Sequence, residues 1–159
     1  MLSSELVSAL RIIYEALPVD EVNWALSGRA SLVLQDVDVE VSELDILTCE
    51  KRAYEVERRL RPFSVKHVEY VEHSDKCSYF GMLSINGINS EIIGAPQVRS
   101  HDGEWGPPTD VLENRRFVDY CGMRIPVTTL DYEATALRTT GDTLAAEMVA
   151  SFLAHEASH

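Results

Sequence analysis

A chain of 159 residues, 45% of them hydrophobic, is long enough for one domain that buries about two-thirds of the surface of its unfolded form. Its net charge of −12 argues against a general binder of nucleic-acid backbones, because such proteins need clustered lysines and arginines. It lacks an apolar run near the ~20 residues of a membrane span, and its first residues lack the basic start of a signal peptide. Cys49, Cys77 and Cys121 form no CxxC pair, so we expect a reduced, cytoplasmic protein.

The first half of the chain predicts alternating helices and strands. Apolar residues at spacings of three and four indicate helices, and short apolar runs between turn residues indicate strands. In chain order we expect a helix from Ser3 or Ser4 to Leu17, a strand at 22–26, a short helix at 29–35, an acidic connection at 36–40, a strand at 41–47, a helix at 50–60 capped by Thr48, and a strand at 65–71.

The second half predicts two hairpins and two helices. Asn86-Gly87 favours a two-residue turn between strands at 78–85 and 88–93, and counting from this turn places Met82 opposite Glu91. Glu91 is then a carboxylate in an apolar strand, which is costly unless the carboxylate is paired or binds a metal. The remaining elements are a loop at 94–108, a hairpin with strands at 117–120 and 123–127, a helix at 130–139 capped by Thr129, and a helix at 142–155.

This element order predicts a single α/β (α+β) domain, residues 1–159, with a mixed sheet flanked by helices. We expect the core to cover about residues 1–127 and a C-terminal helical tail to cover about residues 128–156.

Two acids in the strand predicted at 41–47 point to a metal site. Glu43 and Asp45 lie two positions apart, so their carboxylates project to the same face of a strand. Adjacent carboxylates repel each other unless a cation lies between them, and oxygen ligands suit Mg²⁺. The turn at Ser27 and Gly28 directs the amide groups of a helix start towards an anion. Together these features are typical of a site for phosphoryl or nucleotidyl transfer.

The order of these motifs resembles the nucleotidyltransferase superfamily of the DNA polymerase β type. The runs YFGMLSINGINSEIIG, DGEW, IPVTTL and LDYEATALRTTGD resemble small bacterial and archaeal proteins related to aminoglycoside 2″-adenylyltransferases. That group has a "GS" turn before a "DIDI" strand, and a later strand carries a third acid. The resemblance covers about residues 22–145, and its motif order is more specific than any one motif.

The resemblance implies that Glu43, Asp45 and Glu91 hold two Mg²⁺ ions and that Ser27, Gly28 and Arg29 cradle the phosphates of a nucleotide. The reaction it implies is transfer of a nucleoside monophosphate, AMP from ATP, to a hydroxyl group of a small molecule such as an aminoglycoside. Two residues depart from the family pattern. Glu43 stands where the family has Asp, and Arg29 stands where it has a small hydroxyl residue.

These departures leave two other functions open. The chain can be a catalytically degenerate protein of this fold that binds a nucleotide or a partner, or a minimal nucleotidyltransferase of a toxin–antitoxin pair. Several residues also have alternative roles: Arg29 in an ion pair with Asp36 or Glu43, Glu91 as a solvated edge-strand residue, Trp105 as a stacking surface or a loop anchor, Glu133 as a core-facing residue or a cleft acid, and Arg138 as a triphosphate contact.

Overall fold

The structure is a computed structural model that describes residues 1–157, and within them the chain forms five α-helices and seven β-strands. The helices are α1 (Ser4–Ala16), α2 (Gly28–Leu34), α3 (Glu50–Arg59), α4 (Leu130–Thr140) and α5 (Thr143–Ala157). The strands are β1 (Trp24–Ser27), β2 (Asp45–Thr48), β3 (Ser64–Glu72), β4 (Lys76–Ile85), β5 (Ile88–Val98), β6 (Arg115–Tyr120) and β7 (Met123–Thr128).

The strands form one mixed sheet in the order β3-β4-β5-β2-β1-β7-β6. Strand β2 pairs antiparallel with β1 and parallel with β5, and β1 pairs parallel with β7. The three strands that carry the candidate site residues are therefore neighbours in the middle of the sheet. This mixed sheet with flanking helices confirms the predicted fold class.

The two faces of the sheet have different cores. Alternate residues of a strand point to opposite faces. Leu26 and Ile46 lie in the main core with helices α1, α2 and α3. Ala25 and Leu47 point the other way, into a small cluster with Val111. A third cluster joins α4 and α5 to the end of α2 and the residues that follow it.

The hairpin around Asn86-Gly87 is confirmed. Asn86 and Gly87 have φ values of 52° and 85°, as expected for a type I′ turn, and Ile85 pairs with Ile88. Met82 pairs with Glu91 across the ladder, as counting from the turn predicted.

Two strand boundaries were predicted wrongly. The strand expected at 41–47 begins only at Asp45, because its neighbour β1 ends opposite it, at Ser27, where the chain turns into α2. The loop expected at 94–108 begins later, because β5 continues to Val98. Between the pairs Tyr79–Gly94 and Cys77–Gln97, β5 has one more residue than β4, and this bulge, with a positive φ of 48° at Ala95, lets the ladder continue past Gly94.

Smaller corrections concern the strand expected at 22–26 and the cap of α3. Strand β1 runs from Trp24 to Ser27, because the Val22 amide instead donates to the Pro18 carbonyl in a turn. Cys49, not Thr48, occupies the N-cap position of α3. The Thr48 hydroxyl donates to the Asn23 carbonyl at 2.6 Å, so it joins β2 to the start of β1. Among the described residues, none of the helices combines the length and apolar character needed to cross a membrane.

Candidate metal and nucleotide site

Three carboxylates meet where β1, β2 and β5 lie side by side. Asp45 is the first residue of β2 and pairs with Ser27, while the parallel pairing of Ile46 with Ile92 brings Glu91 next to Asp45. Glu43 precedes the strand and forms an isolated bridge with Asn89. One oxygen atom from each of Glu43, Asp45 and Glu91 lies within 4.8 Å of the other two. The predicted juxtaposition of the three acids is therefore present, on the sheet face opposite α1 and α3.

The electrostatic environment of this cluster disfavours its full ionisation. Burial, followed by the negative charges of Glu91 and Glu43, raises the pKa of Asp45 to about 8, although the Glu91 amide donates a hydrogen bond that opposes the shift. Burial and Glu43 also raise the pKa of Glu91, while Lys76 lowers it. Like charges this close titrate at a higher pH than an isolated carboxyl group does.

The cluster meets the chemical requirements of a divalent cation. The Oδ1 atom of Asp45 is buried and has no hydrogen-bond partner among the described residues. A buried oxygen of this kind costs free energy unless another group satisfies it. Three carboxylates, half-buried or exposed, offer the all-oxygen donor set that suits Mg²⁺.

The turn from β1 into α2 lies against the same carboxylates. Gly28 has a φ of +71°, and a Cβ atom at this position would lie 2.9 Å from Oδ2 of Asp45. Only glycine fits both the backbone conformation and the close approach. Ser27 is buried, and its side chain makes no capping hydrogen bond to α2. The predicted phosphate-binding turn is therefore in direct contact with the predicted metal ligand Asp45.

Arg29 pairs with neither Asp36 nor Glu43, the two partners that its sequence position left open. Its Nη2 atom donates to Oδ2 of Asp142 at 2.8 Å. Asp142 lies between α4 and α5, and these helices share a core cluster with α2, so their junction comes close to the first turn of α2. Both side chains remain partly exposed, at 44% for Arg29 and 33% for Asp142.

Glu133 is the residue whose position the sequence resolved least. It is only 3% exposed, and its Oε2 atom accepts a hydrogen bond from the Thr128 hydroxyl at 2.7 Å. Burial raises its pKa, while hydrogen bonds from Thr128 and from the Gly28 amide lower it. The sequence signal was present, because Glu133 has the helical spacing of the buried residues Leu130 and Leu137.

Trp105 lies in the loop after β5. The Arg99 guanidinium lies 4.3 Å from the centre of the Trp105 ring, and the two residues form an isolated bridge. This contact occupies the ring with a residue of the same loop, which favours the role of a loop anchor over that of a stacking surface.

Comparisons with solved structures agree with this fold. An inferred nucleotidyltransferase from Thermotoga maritima is 41% identical, with a TM-score of 0.86 over 98% of this chain and 96% of that one. The structure of ANT(2″)-Ia in complex with adenylyl-2″-tobramycin has 11% identity and a TM-score of 0.60, with 95% and 91% of the two chains covered. The lincosamide antibiotic adenylyltransferase LnuA, bound to lincomycin, has 13% identity and a TM-score of 0.58, with coverage of 95% and 98%.

A comparison with curated proteins gives no significant match. The family model for aminoglycoside-2″-adenylyltransferases matches residues 9–150 of this chain, a stretch that includes the turn into α2, the three carboxylates and helix α4. The chain is therefore a member of the aminoglycoside-2″-adenylyltransferase family, within the nucleotidyltransferase superfamily.

Proposed function

We propose that this protein transfers a nucleoside monophosphate, AMP from ATP, to a hydroxyl group of a small cationic molecule. The observation that carries the proposal is the cluster of Glu43, Asp45 and Glu91, in which a buried oxygen of Asp45 has no hydrogen-bond partner among the described residues. When all three acids are ionised, their mutual repulsion destabilises the folded chain unless a cation compensates their charge. A metal–nucleotide complex supplies that cation together with the phosphates.

In this proposal each group has a separate task. Glu43, Asp45 and Glu91 would hold two Mg²⁺ ions, which would supply positive charge to the triphosphate and to the attacking oxygen. Ser27, Gly28 and Arg29 bind the phosphates, because the turn that they form contacts Asp45.

Glu91 is also suited to accept the proton of the acceptor hydroxyl. It is half-buried and lies at the edge of the cluster, so an oxygen atom of Glu91 that binds no metal ion can accept this proton. Its place on β5, beside Asp45, keeps it close to the phosphorus atom that the hydroxyl attacks.

The acceptor class follows from charge. The chain has a net charge of −12, and the site itself is built from acids, so a cationic acceptor is drawn towards it. The solved structures of the same fold contain an adenylyl derivative of the aminoglycoside tobramycin and the lincosamide lincomycin. We therefore propose an amino-sugar or a similar cationic hydroxyl compound as the acceptor.

Pyrophosphate release tests this proposal. The purified protein is incubated with each of the four nucleoside triphosphates, with Mg²⁺ or with a chelator, and with a pool of aminoglycosides and other amino-sugars. We expect pyrophosphate only when Mg²⁺ and an acceptor are both present, together with an acceptor whose mass has increased by one nucleotidyl group. Asp119→Asn, on the edge strand β6 away from the cluster, is the matched control and keeps this activity. A lack of pyrophosphate with every nucleotide and acceptor would contradict the transferase proposal.

One observation favours a second candidate, a degenerate protein that binds a nucleotide without transferring it. Glu43 is exposed and lies outside β2, so it is held less firmly than Asp45. Its side chain is also one methylene longer than the family's aspartate, and a misplacement of ~1 Å can cost about 10²-fold in rate. Thermal stabilisation by Mg²⁺ and ATP, without pyrophosphate release, would support this candidate.

A further inference from the structure

Glu133 is a buried acid that the proposed reaction does not use. It begins the second turn of α4, is 3% exposed, and faces the sheet rather than solvent. A buried carboxyl group is costly unless hydrogen bonds compensate it, so its partners show what it contributes.

Its strongest partner joins three parts of the fold. The Thr128 hydroxyl donates to Glu133 at 2.7 Å and also lies 3.0 Å from the Ser31 hydroxyl and 3.4 Å from the Leu26 carbonyl. Leu26 is in β1 and Ser31 is in α2, so these contacts lie on either side of the turn at Ser27 and Gly28. Ser31 and Gln35 add hydrogen bonds to the Thr128 carbonyl, at 2.9 and 2.8 Å.

The turn itself is held by the same carboxyl group. The Gly28 amide is close enough to this carboxyl group to lower its pKa, while the other side of Gly28 is so close to Asp45 that a Cβ atom would lie 2.9 Å from its Oδ2 atom. Gly28 therefore lies between Glu133 and Asp45, the acid that is proposed to hold the metal.

We propose that Glu133 is a positioning residue for the nucleotide: anchored on Thr128, it fixes the backbone of Gly28 and so sets the distance between the phosphate-binding turn and Asp45. This inference rests on the proposed function. In this arrangement the Gly28 amide is directed towards Glu133, so Gly28 serves phosphate binding by shaping the turn, and Ser27 and Arg29 supply the donors. Without Glu133 the turn moves relative to Asp45, and the nucleotide is held in the wrong place.

Two substitutions at Glu133 separate positioning from simple stability. Glu133→Gln keeps an oxygen that accepts the Gly28 amide, whereas Glu133→Ala removes it. Leu137→Ala, in the same helix and also buried, is the control for lost packing. We expect Glu133→Ala to raise the KM for Mg²⁺–ATP and to lower kcat. Together these changes should lower kcat/KM by about 10- to 100-fold, because a shift of ~1 Å is enough to do so. Glu133→Gln should stay within about threefold of wild type, since it retains the hydrogen bond.

Leu137→Ala should lower the melting temperature at least as much as Glu133→Ala does, with KM unchanged. Equal effects of Leu137→Ala and Glu133→Ala on KM, or no effect of Glu133→Ala, would overturn the inference.

Hydrogen exchange of the Gly28 amide tests the same link without any nucleotide. In a protein labelled with ¹⁵N, we expect this amide to be protected in wild type and in Glu133→Gln, and to exchange at least about tenfold faster in Glu133→Ala. If wild type binds no nucleotide, the proposed function fails, but this measurement still decides whether Glu133 fixes the turn. An unprotected Gly28 amide in wild type, or one equally protected in Glu133→Ala, would overturn the positioning role.

Discussion

Two acids on opposite faces of this sheet, the buried Glu55 and the half-buried Asp45, have opposite environments. Glu55, in α3, accepts hydrogen bonds from Arg52 and Arg59 of the same helix. Burial alone would raise the pKa of Glu55, but these two arginines outweigh it and lower the pKa. Asp45 has acids as its charged neighbours instead, and its pKa rises to about 8.

The difference separates Glu55, whose negative charge is neutralised by arginines of its own helix, from Asp45, whose negative charge a bound cation would neutralise. Arg52 and Arg59 lie three and four positions from Glu55, so the helix supplies its counterions locally. For Asp45, none of the described lysines and arginines is among the groups that shift its pKa. A perturbed acid beside other acids is a candidate for function, whereas a paired acid is a candidate for stability.

The largest expected effect comes from Asp45→Asn, and Glu55→Gln is the matched exchange of an acid for its amide on the other face of the sheet. Asp45→Asn should lower pyrophosphate release by about 10³-fold, because it removes the central metal ligand. Glu55→Gln should leave kcat/KM unchanged, since α3 lies on the opposite face of the sheet. The two variants are compared in the same assay at saturating Mg²⁺. Equal losses in both variants would show that the contrast between the two acids has no functional meaning.

Glu43→Asp has the next largest effect, because it restores the family's residue at an exposed, less firmly held position. In a working site adapted to glutamate, we expect kcat to fall by up to about 10²-fold, since the carboxylate moves by ~1 Å. In a degenerate site, Glu43→Asp combined with Arg29→Ser should instead gain Mg²⁺-dependent pyrophosphate release. The direction of the change decides between the two candidate functions.

The stability of the metal-free protein should depend on pH through Asp45. Its pKa is about 8 in the folded protein and 3.8 as an isolated side chain, so the unfolded chain releases the proton first as pH rises. The contribution of Asp45 to the free energy of unfolding is therefore fully present below about pH 4 and is lost progressively as pH rises towards 8. Melting curves with a chelator should show this decline between pH 5 and 8, and millimolar Mg²⁺ should reverse it.

Asp45→Asn is the control for this pH dependence, because the amide is neutral at every pH. Its melting temperature should be higher than that of the metal-free wild type at pH 8 and should not respond to Mg²⁺. A decline with pH of the same size in Asp45→Asn would assign the effect to other groups.

The sequence predicted the acid cluster because the patterns that build it are local. Asn86-Gly87 set the register that places Glu91, and the spacing of Glu43 and Asp45 set their common face. No local sequence pattern predicts the contacts of Arg29 and Gly28 with the C-terminal helices. Arg29 and Asp142 are 113 positions apart, and their contact depends on how α4 and α5 pack on α2. Tertiary packing of this kind leaves little trace in a single sequence.

Glu55→Gln should lower the stability of the protein by about 1 kcal/mol, which corresponds to ~2–4 °C in melting temperature. The loss is small because Arg52 and Arg59 are 33% and 28% exposed, so water screens both pairs. Adding 1 M NaCl should reduce the difference between wild type and Glu55→Gln. An unchanged melting temperature would show that the arginines contribute nothing to α3.

The smallest expected effect comes from Asp142→Asn, and it tests whether Arg29 contacts phosphate. Asp142 accepts from Arg29, and its other carboxylate oxygen accepts the Ala145 amide at the start of α5. Asparagine caps a helix as well as aspartate does, so the melting temperature should not change. The substitution removes the charge that holds the Arg29 side chain away from the phosphate-binding turn, and the pair is exposed enough to break easily.

If Arg29 binds phosphate, the KM for ATP should fall by about two- to threefold in Asp142→Asn and rise in Arg29→Ala. An unchanged KM in both variants would assign Arg29 to the contact with α5 alone and leave Ser27 as the side chain of this turn that binds the nucleotide.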